Sequence, residues 1–308
     1  MDTIYQEIIK EICNELNIKC VFLSKGWITM LEKDGITKFL NGYKFDLNAH
    51  GLGMVLDDKY ATYEVLKEKE IPVIEHSIVY DFNNQNDYAA RCNNKEYLES
   101  LFDKYDKDIV LKINNGTGGM NVFHITEIND LTNQFNKLAY KYDSLSISPY
   151  KKIINEYRVI VLNNEIKLMY KKVKPIICGN GYSTIKELLL NFNENYFFNY
   201  NNEIGNKVLE ENEIYEYDWR FNLSQGSMAS HNIPDDIKEI ITNIALKTSK
   251  TIDLKFGSID IINTNDNKYY VLEINSGVMM RNYIMQHDNG YYTAKKIYKE
   301  AIIYMFKD

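Results

Sequence analysis

The chain has 308 residues, enough for a large core divided among two or three lobes. It is 45% hydrophobic and 26% charged, an ordinary balance for a soluble protein, and its formal net charge of −7 with a pI near 5.4 speaks against nucleic acid or an anionic membrane as partner. No apolar run approaches the ~20 residues of a membrane helix. The N-terminus has neither the basic nor the apolar region of a signal peptide, and Cys13, Cys20, Cys92 and Cys178 include no Cys-x-x-Cys, so a cytoplasmic chain with reduced thiols is expected.

Ile4, Ile8, Ile9, Ile12 and Leu16 recur at helical spacing and predict an amphipathic helix over 3–17. A short strand over 20–23 is next, then a hairpin of 27–31 and 36–40 about Asp34-Gly35. This part reads as structural. Asp58 is placed to N-cap a helix running to about Lys69, with Lys59 in its first turn, where the helix dipole disfavours a cation unless an anion joins it. A helix over 96–105 leads to a strand over 108–113 that carries Lys112. Asn114-Asn115-Gly116-Thr117-Gly118-Gly119-Met120 and a second strand over 121–125 come next. Strand, glycine-rich loop, strand is not a P-loop, and Gly-x-x-x-x-Gly-Lys is absent. It suits either a plain glycine turn or a hairpin whose backbone N–H groups close over phosphates.

A helix over 128–142 and a strand over 145–150 complete this region. Strands over 156–162 and 165–173 embed Arg158 and Lys172 among apolar residues. Gly179-Asn180-Gly181 turns the chain, and Thr184 caps a helix to about Phe192. Residues 193–216 read as an irregular insertion, partly helical. Asp218 to Asn222 reads as a strand with Arg220 and Asn222 on one face, and Pro234 opens a helix. Thr293–Phe306 reads as a closing amphipathic helix.

Between these helices lie two strands, Phe256–Ile262 and Tyr269–Asn275, joined by the turn formers Asn263–Asn267. Side chains alternate along strands, so Glu273 and Asn275 share a face, and the hairpin brings Asp260 across from Glu273. Two carboxylates and an amide oxygen suit Mg²⁺, which takes the rest of its shell from water and phosphate. A structural carboxylate pair is the alternative. No His-Glu-x-x-His and no Gly-x-Ser-x-Gly is present, which argues against a histidine-held metal and a serine hydrolase.

The order of these motifs resembles the ATP-grasp superfamily, in particular the ATP-grasp modules of cyanophycin synthetase and of bifunctional glutathione-forming ligases. The likeness rests on Glu156-Tyr157-Arg158, then Lys172, then Gly179-Asn-Gly181-Tyr-Ser-Thr184-Ile185-Lys-Glu187-Leu188, Asn222-Leu-Ser-Gln-Gly226-Ser227 and Asp260…Glu273-x-Asn275, and it spans about residues 55–305. Lys172 stands where an arginine is usual, Ser227 replaces a second glycine, and Ser148-Pro149 occupy the place of a ribose-binding glutamate.

The resemblance implies an α+β fold in which two lobes clamp ATP: a short N-terminal α/β segment over 1–56, a lid lobe over 57–146 and a C-terminal lobe with the metal site over 147–308. It implies that Lys59, Lys112, Gly116, Thr117, Gly118, Gly119, Ile147 and Tyr150 bind the nucleotide. Asp260, Glu273 and Asn275 would hold one or two Mg²⁺ ions, or Mn²⁺ in their place. Arg220 and Asn222 would face the γ-phosphate and the acyl phosphate, and Arg158 and Lys172 the acid substrate or the transferring phosphoryl group. The activity implied is ATP-dependent carboxylate–amine ligation through an acyl phosphate, on small-molecule or peptide substrates, by a chain that could form a homodimer. A phosphotransferase and a non-catalytic ATP-binding module are the rivals.

Overall fold

The computed structural model describes residues 3–116, 118–192 and 202–307. Helix α1 (Thr3–Glu15) buries Ile8, Ile9 and Ile12, the stripe its periodicity predicts. Strands β1 (Lys19–Leu23), β2 (Ile28–Lys33), β3 (Ile36–Asn41) and β4 (Lys44–Phe45) form an antiparallel sheet in that order. The turn between β2 and β3 needs two left-handed residues, and Asp34 and Gly35 supply them at φ 50° and 79°. Helix α2 (His50–Asp57) is not legible in the sequence, where Gly51 and Gly53 disguise it. Helix α3 (Lys59–Glu68) is capped as expected: Asp58 Oδ1 accepts from the Ala61 N–H at 2.7 Å.

A second sheet is built from β5 (Ser77–Tyr80), α4 (Lys95–Lys104), β6 (Ile109–Ile113), β7 (Val122–Ile125), α5 (Ile128–Ala139) and β8 (Ser144–Pro149). Its strand order is β5-β8-β6-β7, all antiparallel. Both helices cover one face, where Leu98, Phe102, Leu131 and Phe135 pack on Ile109, Leu111, Leu145 and Ile147. The opposite face is left for the alternating residues, Lys112 among them.

The third sheet carries the metal-type hairpin. Strands β9 (Ile153–Leu162) and β10 (Glu165–Val173) form one hairpin. A satellite is attached to it: β11 (Ile176–Cys178), α6 (Ile185–Phe192), α7 (Asn202–Gly205) and β12 (Ile214–Glu216). Thr184 and Glu187 make a reciprocal capping box there: the Glu187 carboxylate accepts from the Thr184 N–H at 2.8 Å, and Thr184 Oγ1 accepts from the Glu187 N–H at 3.2 Å. The expected irregular insertion falls partly on 193–201, outside the described residues; the remainder of it forms the short α7 and the paired β12. Then come β13 (Met228–Ser230), α8 (Asp235–Thr251), β14 (Phe256–Thr264), β15 (Tyr269–Asn275), α9 (Arg281–Gln286) and α10 (Gly290–Met305).

The sheet order is β13-β10-β9-β14-β15. Strand β14 is buried along its whole length. Its Ile259 and Ile261 pack with Ile241 and Ala245 of α8, while Ser258, Asp260 and Ile262 face the other way. The N-terminal sheet, α1 and α10 share one core with Ile160, Leu162 and Phe256 of this third sheet, so the first fifty residues do not stand apart from the rest. Among the described residues no helix is long and apolar enough to cross a membrane.

Candidate nucleotide and metal site

A cavity of about 540 Å³ opens between the second and third sheets, within the size range of small-molecule sites. Its floor is the face of the third sheet that period-2 alternation predicts: Glu156 and Arg158 from β9, Lys172 from β10, Ser258 and Asp260 from β14, Glu273 and Asn275 from β15. The register pairs Asp260 with both Arg158 and Glu273, and Ser258 with Asn275. A bulge at Leu272 absorbs one extra residue, so the β15 ladder still delivers Glu273 and Asn275 to one side.

Four charges interlock on this floor. Arg158 grips Asp260 with both edges of its fork, Nε to Oδ1 at 2.8 Å and NH2 to Oδ2 at 2.6 Å. Lys172 donates to Asp260 Oδ2 at 2.9 Å and to Glu156 Oε1. Asp260, Lys172 and Glu156 are all but fully buried. Burial alone would raise the Asp260 carboxyl, but Arg158 and Lys172 beside it hold it well below the usual range. Burial pushes the Glu156 carboxyl up, against the pull of Lys172. Lys172 is therefore a counter-ion set into the sheet between two carboxylates, at the edge of the cavity that it also lines.

Glu273 and Asn275 stand differently. Both line the cavity, and neither side chain makes a hydrogen bond or ion pair among the described residues. Asp260 retains acceptor capacity on Oδ1, which takes a single donor. Two carboxylates and one amide oxygen, two of the three without partners, fit a hard divalent cation. No cluster of three or more His, Cys, Asp or Glu occurs among the described residues, so a cation here would complete its shell from elsewhere.

Opposite the floor lie two lysines. Lys112 is buried and makes no hydrogen bond or ion pair among the described residues. Burial, then the nearby Lys59, bring its ammonium down to about 8, with Glu273 opposing. Lys59 is also lowered by burial. Its Nζ donates to the carbonyls of Asn114 (3.2 Å) and Gly116, so it ties the root of the glycine-rich loop to the start of α3. A buried lysine without a partner beside a half-buried one, both lowered by burial, is an arrangement that an anion in the cavity would repay.

The tip of the loop is fastened to the third sheet's lobe. Arg220 NH1 donates to Gly119 O at 2.9 Å, and Asn222 Nδ2 donates to Gly118 O at 2.6 Å. Gly118 and Gly119 are left-handed, φ 71° and 67°. A Cβ on Gly119 would meet Asn222 Nδ2 at 2.8 Å, so glycine is needed for that approach. Thr117 lies outside the described residues. The segment Asp218 to Asn222, expected as a strand, is a bend instead: the Asp218 carboxylate accepts from the Arg220 N–H at 2.9 Å and turns the chain. Arg220 and Asn222 still reach the same loop.

Of the other expected nucleotide contacts, Gly116 and Tyr150 line the cavity. Tyr150 stacks on His124 (centroids 3.8 Å apart, 15° between planes) and meets Trp219 edge-on at 5.9 Å. Ile147 is placed differently. It is fully buried among Leu111, Phe135 and their neighbours and does not line the cavity; the next residues, Ser148 and Pro149, do.

Three features lie beyond the residues given roles from sequence. Glu156 and Ser258 could have been found by stepping two residues from Arg158 and Asp260. The N-terminal sheet supplies a further wall: Trp27, Asn41, Tyr43 and Lys44 line the cavity. Strand β4 bridges Lys44 to Gly277, and the Val278 N–H donates to Tyr43 O at 3.1 Å, next to the end of β15. Lys44 is paired with Asp57. This segment, read as structural, thus also borders the cavity.

Residues 204–300 match the RimK-like ATP-grasp domain. The glutathione biosynthesis bifunctional protein GshAB of Listeria monocytogenes is 22% identical over 282 residues, 81% of this chain and 35% of its own length. Its counterpart from Lactiplantibacillus plantarum is 28% identical over 152 residues, 49% of this chain and 18% of its own. The chain therefore spans about a third or less of the curated relatives it matches. Among solved structures, a bifunctional glutathione synthetase from Pasteurella multocida superposes with a TM-score of 0.55 at 15% identity, covering 97% of this chain and 44% of that one. The D-alanine–D-alanine ligase from Bacillus anthracis gives 0.52 at 12%, covering 82% and 66%. These likenesses carry the fold, two α+β lobes about one cleft; Glu156, Arg158, Lys172, Asn222, Asp260, Glu273 and Asn275 line that cleft, whereas the Gly179–Leu188 motif lies in the satellite. The C-terminal part of the chain, residues 204–300, is thus similar to a RimK-like ATP-grasp domain, and the fold of the whole is similar to that of these ligases.

Proposed function

We propose that the chain is an ATP-dependent carboxylate–amine ligase acting in the cytoplasm on a small-molecule or peptide acid. A carboxylate oxygen attacks the γ-phosphorus of ATP and ADP leaves; an amine nitrogen then attacks the acyl carbon, phosphate departs and the nitrogen loses a proton. The observation that carries this reading is one cavity that opposes two poorly compensated lysines, Lys59 and Lys112, to free oxygen donors on Glu273 and Asn275. Such a site aligns and neutralises phosphoryl groups and needs no side-chain nucleophile.

Lys112 and Lys59 would meet the phosphates, and Arg220 and Asn222 the transferred group. The loop at Gly116–Gly119 would exclude water from the acyl phosphate, which water would otherwise hydrolyse. Tyr150 with Ser148 and Pro149 would border the base. Asp260, Glu273 and Asn275 would hold Mg²⁺, one or two ions, which supplies charge neutralisation on the phosphates when bound. The wall of Trp27, Asn41 and Tyr43 would border the acid or the amine. In domain terms, a short N-terminal segment over 1–56 adjoins a lid lobe from 57, whose last strand runs to Pro149, and a C-terminal lobe.

The test is orthophosphate release from ATP and Mg²⁺ with pooled carboxylic acids, with and without pooled amines. Release that needs both pools is expected. ADP formation without phosphate would mean a phosphotransferase, and tight ATP binding with no turnover on any pool would mean a binding module or a protein substrate.

A further inference from the structure

Arg220 is held from behind by a residue to which no sequence motif gives a role. Asp218 is nearly buried, its side chain 8% exposed, and it does not line the cavity. Its carboxylate takes the Nε edge of the Arg220 guanidinium at 3.0 and 3.2 Å and NH2 at 2.7 Å, besides the Arg220 backbone N–H. One carboxylate thus consumes the backbone and one whole edge of the fork. The remaining nitrogen, NH1, is the one that reaches Gly119 O at the tip of the glycine-rich loop. An arginine side chain has four rotatable bonds and would otherwise sample many orientations at this partly exposed site; a bidentate partner two residues away removes that freedom.

We infer that Asp218 is a positioning residue: it fixes the Arg220 guanidinium so that the NH1 corner points at the loop tip and, if the chain is the ligase proposed, at the phosphoryl group in transfer. The same corner serves both, so Asp218 couples the pose of the loop to that of the phosphoryl-facing cation. It touches no substrate itself and acts only through Arg220.

That last property makes the test a double-mutant cycle of Asp218→Asn, Arg220→Ala and the pair. The first readout uses the ligand-free chain: backbone hydrogen exchange over residues 118–122. Losing one hydrogen bond at the tip should speed exchange about three- to fivefold in each single variant, and no further in the pair. Trp219 fluorescence in a Trp27→Phe background, where it is the sole tryptophan, should keep its wild-type emission, showing that the bend persists. The second readout is phosphate release at saturating ATP. Asp218→Asn should lower kcat about 10- to 100-fold with the KM for ATP within twofold, and the pair should equal Arg220→Ala alone. The inference falls if Asp218→Asn exchanges and turns over like wild type while Arg220→Ala is impaired, or if its defect multiplies that of Arg220→Ala. Wild-type turnover in Arg220→Ala would overturn the role given to Arg220, and with it the kinetic half of the inference, leaving exchange to decide whether Asp218 steers the loop.

Discussion

Raising the pH should weaken nucleotide binding through Lys112. Burial and Lys59 lower its ammonium from 10.5 to about 8, which corresponds to about 3 kcal/mol of disfavoured charge in the ligand-free site. The sign is set by that direction. Between pH 8 and 10.5 the unfolded chain would keep this proton while the folded chain has lost it, so for this group alone stability rises with pH across that window. Binding runs the other way. A triphosphate beside Lys112 restores the proton, so ATP binding above pH 8 must take one up. Phosphate's own second ionisation, near pH 6, is complete by then. At pH 8.5 the free site would be mostly deprotonated, and binding should consume about three quarters of a proton. Calorimetry in two buffers of different ionisation enthalpy measures that number directly, and the Kd should rise about tenfold per pH unit beyond 8. Lys112→Arg, which stays charged, should flatten the profile. A Kd constant from pH 7 to 9.5 in the wild-type chain, with no proton uptake, would refute the reasoning and remove Lys112 from the phosphates.

The two carboxylates opposite should separate by stability. Asp260→Asn leaves Arg158 and Lys172 with one buried counter-charge between them and should cost about 3–5 kcal/mol, seen as a lower urea midpoint. Glu273→Gln, which breaks no ion pair among the described residues, should keep its midpoint while losing Mg²⁺-dependent turnover; equal midpoints in the two variants would show that Asp260 is not the keystone of the charged floor. Trp27→Ala removes a half-exposed ring from the N-terminal wall and should raise the KM of the acid or amine about fivefold while sparing the KM for ATP; a change confined to ATP would place that wall at the nucleotide instead.

How much of this site is legible in the sequence depends on the range of the interactions involved. Alternation within a strand is local, so Glu273 and Asn275 share a face, and a turn-rich pentapeptide is enough to bring Asp260 opposite Glu273. Asp58 caps α3 for reasons contained in four residues. The tie of Arg220 to Gly119, by contrast, joins segments far apart in sequence, and so does the pairing of Lys44 with Gly277 that sets Trp27 and Tyr43 at the cavity. Nothing near those residues announces either contact. The bend at Asp218 is hidden for a different reason: a strand-like composition loses to one side-chain hydrogen bond to its own backbone.

Ile147 shows what alternation alone leaves open. Within β8, alternation sorts Leu145 and Ile147 to one face and Ser146 and Ser148 to the other, but it cannot say which face looks into the cavity. That choice lies in the register with β6, where Ile147 stands opposite Leu111 and Ser146 opposite Lys112. Paired residues share a face. Ile147 therefore belongs with Leu111 under α4 and α5, on the face away from Lys112, and Ser148 with its C-terminal neighbours lines the cavity. A one-residue change of register would reverse the assignment, which is why lysine and isoleucine could each be plausible ligands in sequence and yet cannot both face the same cavity.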